Sequence, residues 1–207
     1  MVVIHYTAMQ TAEAACQTLC NPKTEVSAHY LIARDGQVMS LVAEDQRAWH
    51  AGAGGWGKLT DVNSYSIGIE LDNNGLSPFS APLMDALVVL LEGIIGRWAI
   101  RPERVIGHSD MAPGRKIDPG PRFDWQRLAC EGQSIWPNKQ DKEPISAEDF
   151  RRHALLFGYP DVSDALLLDT VRRRFRPWAQ GPLDALDMGL IADLASRFPV
   201  DARVSNA

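Results

Sequence analysis

The run from Val105 to Pro121, V-I-G-H-S-D-M-A-P-G-R-K-I-D-P-G-P, concentrates the residues best suited to chemistry. His108 offers an imidazole nitrogen and Asp118 a carboxylate, both donors that zinc accepts. Three prolines and three glycines among these seventeen positions argue against a regular helix or strand here. So stiff a loop holds His108 and Asp118 at a fixed separation although they lie ten positions apart. Catalytic zinc sites use three protein ligands and keep a fourth position open. His5, in V-V-I-H-Y-T-A at the end of an apolar run, is the best third ligand. The spacing is not that of a zinc finger and the set lacks Cys, so a metal held here is catalytic rather than structural. On this pattern a hydrogen-bonded structural role for each His stays open, since that is the commoner fate of a lone His after a strand.

The elements that must position these side chains alternate. Val2 to Ile4 reads as a buried strand, and Ala-rich Thr11 to Leu19 as a helix closed by Asn21-Pro22. Ala28 to Arg34 and Gln37 to Val42 read as strands around Asp35-Gly36, a two-residue hairpin signal. Trp49-His50-Ala51-Gly52 opens a Gly-rich loop through Gly57. Ser66 to Leu71 is a further strand, carrying Glu70 and followed by the turn Asn73-Asn74-Gly75. Pro82 to Trp98 is apolar nearly all round and is expected to have most of its surface covered. Strands interleaved with helices predict an α/β layer architecture.

A length of 207 residues allows one medium domain, or one plus a small appendage. Hydrophobic content of 45% and charged content of 23% are those of a soluble globular protein. A net charge of −5 argues against non-specific binding to nucleic acid, which favours basic faces. Three Cys cannot all pair with one another, and Cys16 and Cys20 have no nearby His to complete a ligand set, so they read as buried or free thiols. Asp85, Glu92 and Arg97 interrupt the apolar run Leu83 to Ile100, making it a buried helix and not a transmembrane segment. Met1 leads straight into the first strand with no export signal, which predicts a cytoplasmic location. A periplasmic or outer-membrane-associated location follows if an export segment has been removed.

Composition changes at W-P-N-K-Q-D-K-E-P, Trp136 to Pro144. The chain divides there into a catalytic unit, 1–136, a linker, 137–144, and a small helical unit, 145–207. Helical periodicity covers Ser146 to Tyr159, Val162 to Phe175 and Asp184 to Phe198. Leu168, Val171 and Phe175 share one face of the second helix, and Arg172, Arg173, Arg174 and Arg176 read as a solvated face. Two modules joined by a polar, Pro-bounded linker are expected to fold largely separately.

H-Y-T-A at His5, S-A-H-Y at Ser27, A-W-H-A-G at Ala48, S-I-G-I-E-L at Ser66 and G-H-S-D-M-A-P-G-R-K-I-D-P-G-P at Gly107 occur in this order. Together they resemble the type 2 N-acetylmuramoyl-L-alanine amidases, whose superfamily includes the peptidoglycan recognition proteins. The resemblance runs from Val2 to Trp136. In L-L-F-G-Y and D-T-V-R-R-R-F the tail is similar to a three-helix peptidoglycan-binding domain. The resemblance implies a central mixed β-sheet flanked by helices, with a small all-α C-terminal domain. It implies one zinc ion per chain on His5, His108 and Asp118, with Glu70 as acid/base and Lys116 stabilising the oxyanion. The implied reaction is hydrolysis of the amide bond between N-acetylmuramic acid and L-alanine in peptidoglycan or muropeptides. Trp49 and His50 are expected to wall the substrate groove, with Asn63 and Arg115 as further contacts, while His29 is expected to pack. A non-catalytic peptidoglycan-recognition module and a phage-type lytic amidase are the alternatives; all three candidate ligands are present, which counts against the first.

Overall fold

Five short aliphatic runs pair into one sheet. The computed structural model describes residues 1–138 and 142–201. The strands are β1 (Val2–Tyr6), β2 (Tyr30–Ile32), β3 (Val38–Ser40), β4 (Ile67–Leu71) and β5 (Val105–Gly107), in the order β3-β2-β4-β1-β5. All neighbours are parallel except the β2–β3 pair. This is the expected mixed sheet of an α/β protein. The register sets His5 beside Glu70 on adjacent strands. Both lie toward the C-terminal ends of parallel strands, the edge at which open α/β sheets bind ligands.

Alternation along the strands divides the sheet into two faces. Val2, Ile4, Ile67, Ile69 and Leu71 point to one face, where α2 (Ala81–Trp98) covers them with Leu83, Leu87, Leu91 and Ile94. These four recur at helical spacing, and Leu87→Ala would cost about 2–5 kcal/mol. The expected near-complete coverage of this helix is corrected: its outer face is open, with Val89 70% exposed, because only one layer packs on it. Among the described residues, no helix is long and apolar enough to cross a membrane. The helix α1 (Ala12–Leu19), N-capped by the Thr11 hydroxyl, lies beside β2.

The other face bears Val3, His5, Gly68, Glu70 and Ile106. Here a single buried cluster joins Val3, Trp56, Ile106 and Met111 to Phe150, Phe157, Val171 and Leu194 of the tail helices α5 (Ala147–Phe157), α6 (Asp164–Phe175) and α7 (Ala185–Arg197). Trp56 meets Phe157 and Tyr159 edge-on, each at 5.2 Å. The three helices lie where periodicity puts them, but they share a core with the sheet unit, which runs against largely separate folding. The arginine run needs the same correction. Arg172, Arg174 and Arg176 are 7%, 4% and 8% exposed, because each reaches a buried or half-buried aspartate. Of the expected linker, residues 139–141 lie outside the described residues, as do 202–207 of the tail.

Two turns differ from expectation. The Ala33 N–H donates to the Gln37 carbonyl at 2.9 Å, so the β2–β3 loop holds three residues, Arg34 to Gly36, with Gly36 at φ +92°. A third residue in the left-handed region is the usual form of such a loop. The loop after β5 begins with a single helical turn, α3 (His108–Met111), since Pro113 lies beyond it and blocks nothing. A short helix, α4 (Trp125–Cys130), follows the loop, and all three cysteines are free.

Candidate active site

Three donor atoms converge above the C-terminal ends of β1 and β5. His5 Nδ1 and His108 Nδ1 are 2.9 Å apart, and each is 3.0 Å from Asp118 Oδ2. All three residues are buried, and they form the one group that could hold a metal ion among the described residues. The outer hydrogen bonds fix which nitrogens carry protons. Ser66 Oγ donates to the Val62 carbonyl at 2.5 Å and therefore accepts from His50 Nε2–H at 3.2 Å. His50 Nδ1 is then a lone pair that accepts His5 Nε2–H at 3.0 Å. In the same way His108 Nε2–H donates to the Ala51 carbonyl at 2.8 Å. In the neutral imidazoles both Nδ1 atoms are consequently lone pairs, facing each other and a carboxylate oxygen. Three acceptors at such range call for a cation among them, and two imidazoles with one carboxylate are a zinc donor set.

The loop His50–Ala51 thus supports both histidines from behind. Asn63 fastens it: the side-chain oxygen accepts the His50 N–H at 3.1 Å and the Ala51 N–H at 2.8 Å. Gly68 admits it, because a Cβ there would lie 2.4 Å from His50 Cγ. His29 is taken up by the backbone, accepting from Gly68 N–H at 2.9 Å and donating to the Gln46 carbonyl at 3.0 Å.

Burial keeps His5 and His50 neutral. Burial, with the neighbouring His108, holds His5 down at about 4 against the partial opposition of Asp118. Burial and the adjacent His5 and His29 hold His50 well below its ordinary value. Burial alone would raise Asp118, but donation from His108 and His5, whenever either imidazole is protonated, outweighs it and the net direction is downward. Glu70 behaves oppositely. Burial first, then the Asp118 charge, push its carboxyl up to about 8, with Lys116 pulling the other way, and Glu70 Oε2 is a buried acceptor with no hydrogen-bond partner among the described residues. A cation on the triad would lower it.

The site opens into a cavity of about 500 Å³, one wall of which is α1 through Ala15, Thr18 and Leu19. Its floor combines paired lone pairs, a raised carboxyl and an ammonium: an arrangement able to bind a divalent cation, move a proton and neutralise an oxyanion.

The sequence profile of the N-acetylmuramoyl-L-alanine amidase family matches residues 1–121. The chain belongs to that family. It is 40% identical to the N-acetylmuramoyl-L-alanine amidase AmiD of Escherichia coli over 68% of this chain and 55% of that protein. Against the 1,6-anhydro-N-acetylmuramyl-L-alanine amidase AmpD of Enterobacter cloacae the identity is 44%, over 57% of this chain and 61% of that one. The chain therefore spans less than two thirds of the length of these curated relatives. The solved structure of Escherichia coli AmiD with the substrate anhydro-N-acetylmuramic acid-L-Ala-D-gamma-Glu-L-Lys superposes with a TM-score of 0.88 at 32% identity, over 97% of this chain and 90% of that one. AmpDh3 of Pseudomonas aeruginosa in complex with anhydromuramic pentapeptide gives 0.86 at 32%, over 96% and 92%.

In this amidase-family chain, eight of the nine residues singled out from sequence line the one cavity: His5, His108 and Asp118, Glu70 and Lys116, and Trp49, His50 and Arg115. Asn63 does not; it is 7% exposed and faces the backbone of the supporting loop. His50 lines the cavity but spends both ring nitrogens on His5 and Ser66. Trp49 is 57% exposed at the rim, with the Arg47 guanidinium stacked 4.3 Å over its ring. Arg115 donates to the carbonyls of Ala51 and Ala53, tying its loop to the glycine-rich one. Sequence reasoning missed Ser66, Gly68 and Asp110. Gly68 left a signal, a glycine inside an otherwise apolar strand, which marks a close approach.

Proposed function

We propose that the chain is a zinc-dependent amidase that hydrolyses the bond between N-acetylmuramic acid and L-alanine in muropeptides, the 1,6-anhydro forms among them. The observation that carries this reading is the convergence of three lone-pair donors within 3.0 Å of one another, beside the Glu70 carboxyl, whose Oε2 is buried with no partner among the described residues. His5, His108 and Asp118 would hold the ion, which supplies Lewis acidity toward the scissile carbonyl and toward water. Glu70, one strand over from His5, takes the proton of the attacking water as the carbon–oxygen bond forms. It returns that proton to the amide nitrogen as the carbon–nitrogen bond breaks, so the leaving L-alanine departs as a neutral amine. The Lys116 ammonium, on the same cavity wall, offsets the charge that accumulates on the carbonyl oxygen. The Trp49 ring offers a flat apolar rim for the sugar or the peptide stem. The substrates held by AmiD and AmpDh3 in their solved complexes support the anhydro-muropeptide class. For the tail we propose wall binding, which would raise the local substrate concentration without changing the chemical step.

The test is product analysis by mass spectrometry on a soluble anhydro-muropeptide and on intact sacculi. Free L-alanyl peptide is expected, turnover is expected to stop when the metal is stripped by a chelator, and zinc is expected to restore it. Full turnover after verified metal removal would sink the reading.

A further inference from the structure

The turn that carries His108 is fastened from the tail side. Asp110, 1% exposed, lies two residues beyond His108 on α3. Its Oδ2 accepts the Gly107 N–H at 2.7 Å, which fixes the start of the turn on which His108 sits. The same oxygen accepts Arg174 Nη1–H at 2.7 Å, and Oδ1 accepts the Tyr159 hydroxyl at 3.2 Å. Arg174, on α6, spends its other terminal nitrogen on the Val105 carbonyl of β5 and on Ser134 Oγ, both at 3.1 Å. Its guanidinium lies 4.2 Å over the Trp125 ring. There is little slack in the turn: a Cβ on Gly107 would lie 2.7 Å from Pro119 Cδ, and the Ser109 N–H donates to the Asp118 carbonyl at 2.9 Å. One turn of α3 therefore ties two of the three candidate ligands together, and Asp110 ties that turn to two residues of the tail.

We propose that Arg174 and Tyr159 are positioning residues for His108 and Asp118, so that the helical tail is a structural support of the metal centre. The inference rests on the reading of these residues as metal ligands. Arg174 bridges Asp110 to the Val105 carbonyl and Ser134 Oγ, a span that a shorter set of donors cannot cover, so without its guanidinium the Asp110 carboxylate is no longer held in one direction. A carboxylate free to turn loosens the Gly107 N–H contact, and the His108 imidazole loses its fixed direction. Loss of such an outer support weakens metal affinity by about 10–100-fold in other proteins.

The experiment measures zinc dissociation constants by chelator competition on the stripped full-length chain, for wild type, Arg174→Lys, Tyr159→Phe and Arg176→Lys. The last is the control, because Arg176 pairs with Asp184 and Asp187 within the tail. Binding is expected to weaken about tenfold or more in Arg174→Lys, by less in Tyr159→Phe, and not in Arg176→Lys. The rise in Tm on adding zinc shrinks in the first two variants and keeps its wild-type size in the third. If Arg174→Lys does not fold, Tyr159→Phe decides, since it removes one hydroxyl and leaves the ring packed. Wild-type zinc affinity in the folded Asp110-facing variants, with stripped and loaded Tm falling together, would assign both residues to packing and overturn the proposal. Failure of the wild type to bind zinc is a separate outcome, which removes the metal reading and this inference with it.

Discussion

Asp187 in the tail and Asp118 at the sheet edge are both buried carboxylates, and their surroundings are opposite. Asp187 is fully buried and accepts from Arg172 and Arg176, whose charges are permanent. Asp118 is 8% exposed, and the side chains that meet its Oδ2 are two histidines, one of them held neutral by burial. Glu70 beside it has one oxygen without a partner among the described residues. Buried charge in the tail is neutralised by fixed guanidinium groups and serves structure. At the sheet edge no Lys or Arg among the described residues pairs with Asp118, which is the electrostatic condition for taking up a divalent ion.

The largest effect expected concerns the apolar seam between the two regions. A chain ending at Asn138 would expose the face formed by Val3, Trp56, Ile106 and Met111. It is expected to lose cooperative thermal unfolding, and with it activity on soluble and insoluble substrates together. A truncated chain with wild-type melting and unchanged kcat on a soluble muropeptide would show instead that the seam is dispensable and the tail a separate module. Glu70→Gln comes next. It keeps the shape and removes the proton carrier, so kcat should fall by at least ~10²-fold with zinc content unchanged. Near-normal turnover would remove Glu70 from the chemistry, and lost zinc would make it a support of the metal.

In the tail, Asp187→Asn leaves Arg172 and Arg176 without their buried counter-charge. Breaking one partner of such a pair costs about 3–5 kcal/mol, read as a lower denaturation midpoint, while kcat measured well below the Tm should stay at the wild-type value. A matching loss of kcat would mean that the two regions are not electrostatically distinct. The smallest effect belongs to Asp184, the N-cap of α7. A hydrogen bond from Arg176, against the opposing pull of burial, holds its carboxyl down at about 2. The unfolded value is ~3.9, so its contribution is complete above ~pH 4 and disappears as pH falls through the folded value. Asp184→Asn keeps the cap and removes the charge. The Tm of the variant should fall less steeply than that of wild type between those two values and run parallel to it above them.

Much of this molecule is written locally in the chain. Strand alternation and helical spacing are properties of neighbouring residues, so β1, β4 and the three tail helices are legible at Val2, Ile67, Phe150, Val171 and Leu194 without knowledge of the fold, whereas β5 lies in a stretch whose Pro and Gly content argues against a strand. The same holds for the candidate ligands: His5 and His108 end apolar runs, and Asp118 is caged by Pro and Gly in the same loop. Tertiary structure alone decided what stands behind them. Asn63 reads as a substrate contact until the fold brings the His50–Ala51 backbone to its side chain, thirteen and twelve positions away. Arg174 reads as solvated because its partner, Asp110, is 64 positions distant. A buried charge is stable only where a counter-charge meets it, and sequence periodicity records which face a side chain takes but not what waits on the other side. The outer face of α2 and the seam between sheet and tail follow the same rule, since how many layers cover an apolar surface is set by packing and not by the surface itself.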